Sequence, residues 1–153
     1  MAIKVTISPD LLAFQPHAMQ KLAIGKQGVA SYLETQIKQQ IRTVDAVASG
    51  SLLNDVRRLP SESNVIRVGS DKIQAQFVEE GRPPGKVPRW SEFKPILQAW
   101  AKAKGLSIPE NALYPIALKI REKGFKGRFP FKKAAESATP GALRILSNSL
   151  EGL

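Results

Sequence analysis

The stretch Gly81-Arg82-Pro83-Pro84-Gly85-Lys86 has the outline of a phosphate-binding loop, with two glycines ahead of a lysine. Its spacing does not fit that chemistry. A phosphate loop sets four residues between the glycines and follows the lysine with Ser or Thr to hold magnesium; here three intervene and Val87 follows. Two of the three are prolines, which have no N–H to donate to a phosphate. Glu79 and Glu80, just upstream, offer two carboxylates. Neighbours on a strand point to opposite faces, so this pair cannot share a metal or a proton; one reads as a solvated strand end and the other as the partner of a nearby cation. His17 is the only histidine and there is no cysteine, which removes His-based triads, thiol nucleophiles and thiolate metal sites. A nuclease centre assembled from distant carboxylates such as Asp71 and Glu80 is a distant alternative. The expectation is a chain with no catalytic residue, no metal and no cofactor.

The segment Lys119–Lys133 is richer. It carries Lys119, Arg121, Lys123, Lys126, Arg128, Lys132 and Lys133 against Glu122, with Phe125, Phe129 and Phe131 interleaved. Cations that neutralise phosphates and rings that stack on bases are the equipment of a single-strand binder. The competing reading has the phenylalanines plugging the core while the charges face water. Pro130 beside two of the rings and Gly on both sides of Lys126 favour buried anchors.

The elements that hold these segments follow from hydrophobic spacing. Ile3, Val5 and Ile7 alternate with polar residues and predict a short strand. Asp10 can cap a helix over about Leu11–Leu22, with Pro16 a break or kink inside it. Gly25 and Gly28 puncture the pattern before a second helix, about Val29–Val47, whose stripe is Val29, Leu33, Ile37, Ile41 and Val44. A short turn follows over Leu52–Arg58. Val65–Val68 and Lys72–Val78, joined by Gly69-Ser70-Asp71, predict a β-hairpin that runs into the Pro/Gly loop. Ser91 is expected to cap a helix with Phe93, Ile96, Leu97 and Trp100 on one face, stopped at Gly105. A further helix spans about Ala112–Lys123, and a last one holds Leu143, Ile145, Leu146 and Leu150. The fold class expected is α+β: a small antiparallel sheet, hairpin plus short strand, packed with several amphipathic helices.

At 153 residues the chain is sized for one domain, residues 1–153. Its longest strongly apolar stretch, around Leu113–Leu118, is far short of a membrane span, and no signal peptide is read at the start. Charge is uneven. Residues 1–80 hold nine Lys/Arg against eight Asp/Glu, whereas residues 81–153 hold fourteen against five, so nearly all of the net +10 lies in the second half. That asymmetry implies a polyanion or an acidic protein face as partner.

One ordered set of segments carries a resemblance. Val78-Glu79-Glu80-Gly81-Arg82-Pro83-Pro84-Gly85-Lys86-Val87-Pro88 is followed by Trp100-Ala101-Lys102-Ala103-Lys104-Gly105-Leu106, then Ile120-Arg121-Glu122-Lys123-Gly124, then Phe129-Pro130-Phe131. The series, over about residues 25–138, resembles the tail-completion and head–tail joining proteins of long-tailed bacteriophages. An aromatic-Ala element that the family carries before the glutamate is replaced here by Gln74-Ala75-Gln76-Phe77. The resemblance implies a non-enzymatic virion protein, assembled in the host cytoplasm, that forms a homo-oligomeric and commonly sixfold ring at the neck or head-proximal tail end. Its partners would be neighbouring neck and tail-tube proteins, with non-specific contact to passing DNA and no membrane. Residues 1–24 and 139–153 lie outside the resemblance and are expected to contact neighbours.

Two groups of candidate site residues follow. Arg82, Pro83, Pro84, Lys86, Arg89 and Trp90 form a pre-shaped loop expected at a subunit interface. Lys119, Lys126, Arg128, Lys132 and Lys133 are expected to face the channel or an acidic partner. The alternative function is a basic nucleic-acid-binding protein.

Overall fold

In the computed structural model, residues 1–7, 16–45, 50–85 and 89–151 are described. The predicted helix residues 11–15, the cap Asp10 and the loop residue Lys86 lie outside them. The element order is β1 (Ala2–Thr6), α1 (Pro16–Thr43), α2 (Ser51–Asp55), β2 (Arg57–Leu59), β3 (Val65–Gly69), α3 (Ile73–Glu80), β4 (Gly81–Arg82), α4 (Trp90–Ala103), α5 (Glu110–Lys123), β5 (Phe125–Lys126) and α6 (Pro130–Leu150). The class is α+β.

A long helix pair on a small sheet forms the main body. β3 is the central strand, antiparallel to β1 on one side and β2 on the other. α1 packs on β3 and β2, and α6 packs along α1 and meets β1. Four of the five predicted stripe residues hold, Val29, Leu33, Ile37 and Ile41 being at most 2% exposed, while Val44 lies past the end of α1 at Thr43 and is half-buried. Burying each such side chain is worth about 1.5–3 kcal/mol, so this face alone dominates the folding of α1. Ile66, Val68, Ala75, Phe131, Ala134 and Ala138 close the same core. Strand β1 and the last turn of α6 both belong to this body.

α1 is one continuous helix, not two. Pro16 is its first described residue. The glycines read as breaks are points of close helix approach. A Cβ built at Gly25 would fall on Ser149 Oγ, and one at Gly141 of α6 would fall on the Tyr32 hydroxyl of α1. α6 likewise runs on through Pro140, beginning thirteen residues before Leu143.

The predicted hairpin is also corrected. The sheet's hairpin joins β2 to β3, and residues 73–80 are helix α3. Ile73, Ala75 and Phe77 alternate, but Ala75 and Glu79 are the buried pair, four residues apart. A run this short satisfies both periods, and packing on α6 selects the helix.

α4 and α5 stand apart as a helical hairpin with its own small core of Phe93, Leu97, Leu113 and Ala117. α4 starts at Trp90, with Arg89 at the cap position, so the predicted cap Ser91 lies inside the helix. Its end is as expected: Gly105, at φ 66°, donates to Lys102, and the Leu106 N–H reaches back to Ala101 at 2.8 Å. This paired closure satisfies carbonyls that would otherwise be orphaned. The hairpin is tied to the body by the Lys104–Asp45 ion pair at 2.6 Å.

Candidate functional site

Segments about forty residues apart in sequence meet backbone to backbone beside the N-terminus of α6. In the two-residue ribbon β4–β5, Gly81 faces Lys126 and Arg82 faces Phe125. The Arg128 N–H donates to Val78 O at 2.8 Å, and the Gly85 N–H donates to Arg121 O at 2.7 Å. There is no room for side chains at the closest points. A Cβ at Gly127 would fall on Glu79 O, and one at Gly124 would fall on Arg82 O. The Gly-Arg-Pro-Pro-Gly stretch and the basic segment thus make one junction.

Glu79 anchors it. The residue is 4% exposed, and its two carboxylate oxygens accept the backbone N–H groups of Phe131 at 2.8 Å and Lys132 at 2.9 Å. The first turn of a helix has N–H groups without intrahelical partners, and a carboxylate there also meets the positive end of the helix dipole. Phe129, at φ 54°, occupies the cap position and has no side-chain oxygen to offer, so a residue fifty positions upstream caps α6 in its place. Glu79 is therefore neither a solvated strand end nor the partner of a side-chain cation. Sequence reading missed it because nothing local links Glu79 to Phe131.

The candidate residues divide by what they touch. The Arg82 guanidinium lies over the Phe77 ring, 5.1 Å from its centre. Arg128 donates to the carbonyls of Val44 and Asp45, both at 2.6 Å, at the end of α1. Trp90 is half-buried and stacks edge-on against Tyr114, with ring centres 5.2 Å apart, so it fastens the start of α4 to the hairpin's own core. Pro83, Pro84, Arg89, Lys119, Lys126, Lys132 and Lys133 are exposed, and among the described residues none of the cations in that group forms an ion pair. The phenylalanines split as well. Phe131 is buried at 2% exposure, while Phe125 and Phe129 are 45% and 44% exposed, so only one of the three is the expected core anchor.

The acidic groups weighed as alternatives, Asp71 and Glu80, and the half-buried Asp55 are occupied. Asp71 takes the Arg57 guanidinium at 3.0 Å, and Glu80 accepts from Gln76 at 3.2 Å. Asp55 accepts the hydroxyl of fully buried Ser70 at 2.5 Å and pairs with Arg57 at 2.8 Å. The Ser70 hydrogen bond, then the charges of Arg57 and Lys72, hold its carboxyl below the ordinary aspartate value of 3.8 against the opposing effect of burial. Among the described residues no three His, Cys, Asp or Glu side chains are grouped so as to hold a metal ion. No described helix is long and apolar enough to cross a membrane. An open groove of about 470 Å³ lies where α4 turns into α5, lined by Gln98, Lys102, Leu106, Ile108, Glu110 and Leu113.

No protein-family model, curated protein or solved structure matches the chain.

Proposed function

We propose that this chain is a non-enzymatic structural protein of a long-tailed bacteriophage. On this reading it forms a ring, sixfold in the commonest arrangement, at the neck or head-proximal end of the tail, completing the tail and joining it to the head. One observation carries the proposal. Three of the four segments that resemble tail-completion proteins, those around residues 78–85, 121–124 and 129–131, converge on a single junction, where the buried carboxylate caps a helix and two of the arginines brace their own chain. Residues spent in this way support a part built to hold a shape.

The loop of this junction is then the subunit contact. Pro83 and Pro84 are exposed and conformationally restricted, so little entropy is lost when a neighbour docks on them. Exposed Arg89 suits the planar, two-bond pairing of a carboxylate on the adjoining copy.

The test is assembly. Sizing of the purified 16.7 kDa chain, alone and with its neck partners, should give a ring near six copies. Virions lacking it should leave filled heads and separate tails. The paired change Pro83→Ser, Pro84→Ser should weaken assembly while leaving the monomer folded, and Arg89→Glu should weaken it more steeply. A chain that stays monomeric with every neck and tail partner, or variants that assemble and join heads to tails normally, would refute the proposal.

A further inference from the structure

Residues 125–133 combine three properties. Their backbone is held firmly: Lys126 sits in the β4–β5 ribbon, Arg128 and Phe129 donate to the carbonyls of Val78 and Glu79, and Phe131 and Lys132 donate to the Glu79 carboxylate. Two rings, Phe125 and Phe129, keep nearly half their surface in solvent. Three lysines, Lys126, Lys132 and Lys133, are exposed and take part in none of the ion pairs among the described residues. Scattered exposed apolar side chains are ordinary, but two rings four residues apart among three unpaired cations on a fixed backbone are a distinctive segment.

We infer that this segment, through Phe125, Lys126, Phe129, Lys132 and Lys133, binds single-stranded nucleic acid irrespective of sequence. Charge complementarity calls for a polyanion, since residues 81–153 carry fourteen basic against five acidic side chains. The kind of cation separates the candidate polyanions. An acidic protein face is read best by the arginine fork, and the arginines built into this junction, Arg82 and Arg128, are turned onto Phe77 and the α1 carbonyls. Within residues 125–133 what remains free is lysine, a compact point charge that serves a phosphodiester backbone as well as any other anion. The rings favour a single strand, because every unpaired base has a face to stack on a phenyl group while a duplex keeps its bases stacked inside. Glu79 already occupies the N-terminus of α6, so the dipole of that helix is not what draws the ligand.

The purified full chain would be titrated with a short labelled oligothymidylate while anisotropy is followed from about 50 to 200 mM salt. Three neutralised phosphates at ~0.7 counterion each predict roughly 20-fold weaker binding across that range. The triple variant Lys126→Gln, Lys132→Gln, Lys133→Gln should lose most of this salt dependence. Phe125→Leu with Phe129→Leu should keep the dependence but lose about tenfold or more in affinity. All five side chains are exposed, so unchanged circular dichroism and thermal midpoint would confirm that the variants fold. Absence of binding at low salt would overturn the inference, as would a duplex binding as tightly as the single strand. Displacement of the oligonucleotide by polyglutamate at matched charge would overturn it in favour of an acidic protein partner. The readout does not depend on assembly, so its failure leaves the ring proposal standing, and failure of ring assembly leaves this one standing.

Discussion

Glu79 shows how much one side chain can hold. Truncation to alanine would leave two N–H groups of α6 without their acceptor, one buried and one part-buried, at about 1–3 kcal/mol for the buried one. Glu79→Ala should therefore lower the urea midpoint substantially. Glu79→Gln, which keeps one acceptor oxygen, should cost less. Equal midpoints for the two variants would mean that neither the side chain's bulk nor a retained acceptor oxygen contributes. Asp55 makes a different prediction. Its carboxyl is held below 3.8 in the folded chain, so its contribution is complete above that value and fades as pH falls through the lowered one. Asp55→Asn should reduce stability at neutral pH and flatten the loss seen below about pH 4. An unchanged acid slope would show that the Ser70–Asp55–Arg57 group contributes nothing to it. Catalysis belongs to this scale too: on the structural reading, ATP hydrolysis and metal-dependent DNA cleavage both read blank. Cleavage abolished by Glu80→Gln would contradict it.

Among the elements, legibility follows the range of the forces that decide each one. α4 and α5 were readable because their apolar spacing is regular and Gly105 and Gly124 stop them locally. The α1 stripe was readable for the same reason. Gly25 and Gly28 misled because their cause is tertiary: like Gly141 on the facing helix, they let α1 and α6 approach, and intrinsic helix preference yields to that packing. Gly141→Leu should thus disrupt the helix pair, with a loss of several kcal/mol by overpacking against Tyr32, despite leucine's better helix propensity. A rise in thermal midpoint would show that α6 is limited by propensity instead. β2 was missed because Arg57-Arg58-Leu59 offers a single buried residue, and α3 because eight residues fit either period. The site was half legible. Its loop and its basic segment stand out in sequence; that they touch, and through which carboxylate, does not.

At the scale of the whole molecule, the chain is a large core and a small one. The body is closed by α1, α6 and the sheet, while the α4–α5 hairpin has a four-residue apolar cluster of its own and slight contact with everything else. Lys104 and Asp45 span the gap, and Arg128 grips the same end of α1. Two cores of unequal size imply two clocks. Backbone amides of residues 93–101 and 113–120 should trade hydrogen for deuterium long before those of residues 29–41, since a small core opens at lower cost than global unfolding. The Lys104–Asp45 pair is exposed enough for ions to screen it, so added salt should hasten the fast clock and leave the slow one alone.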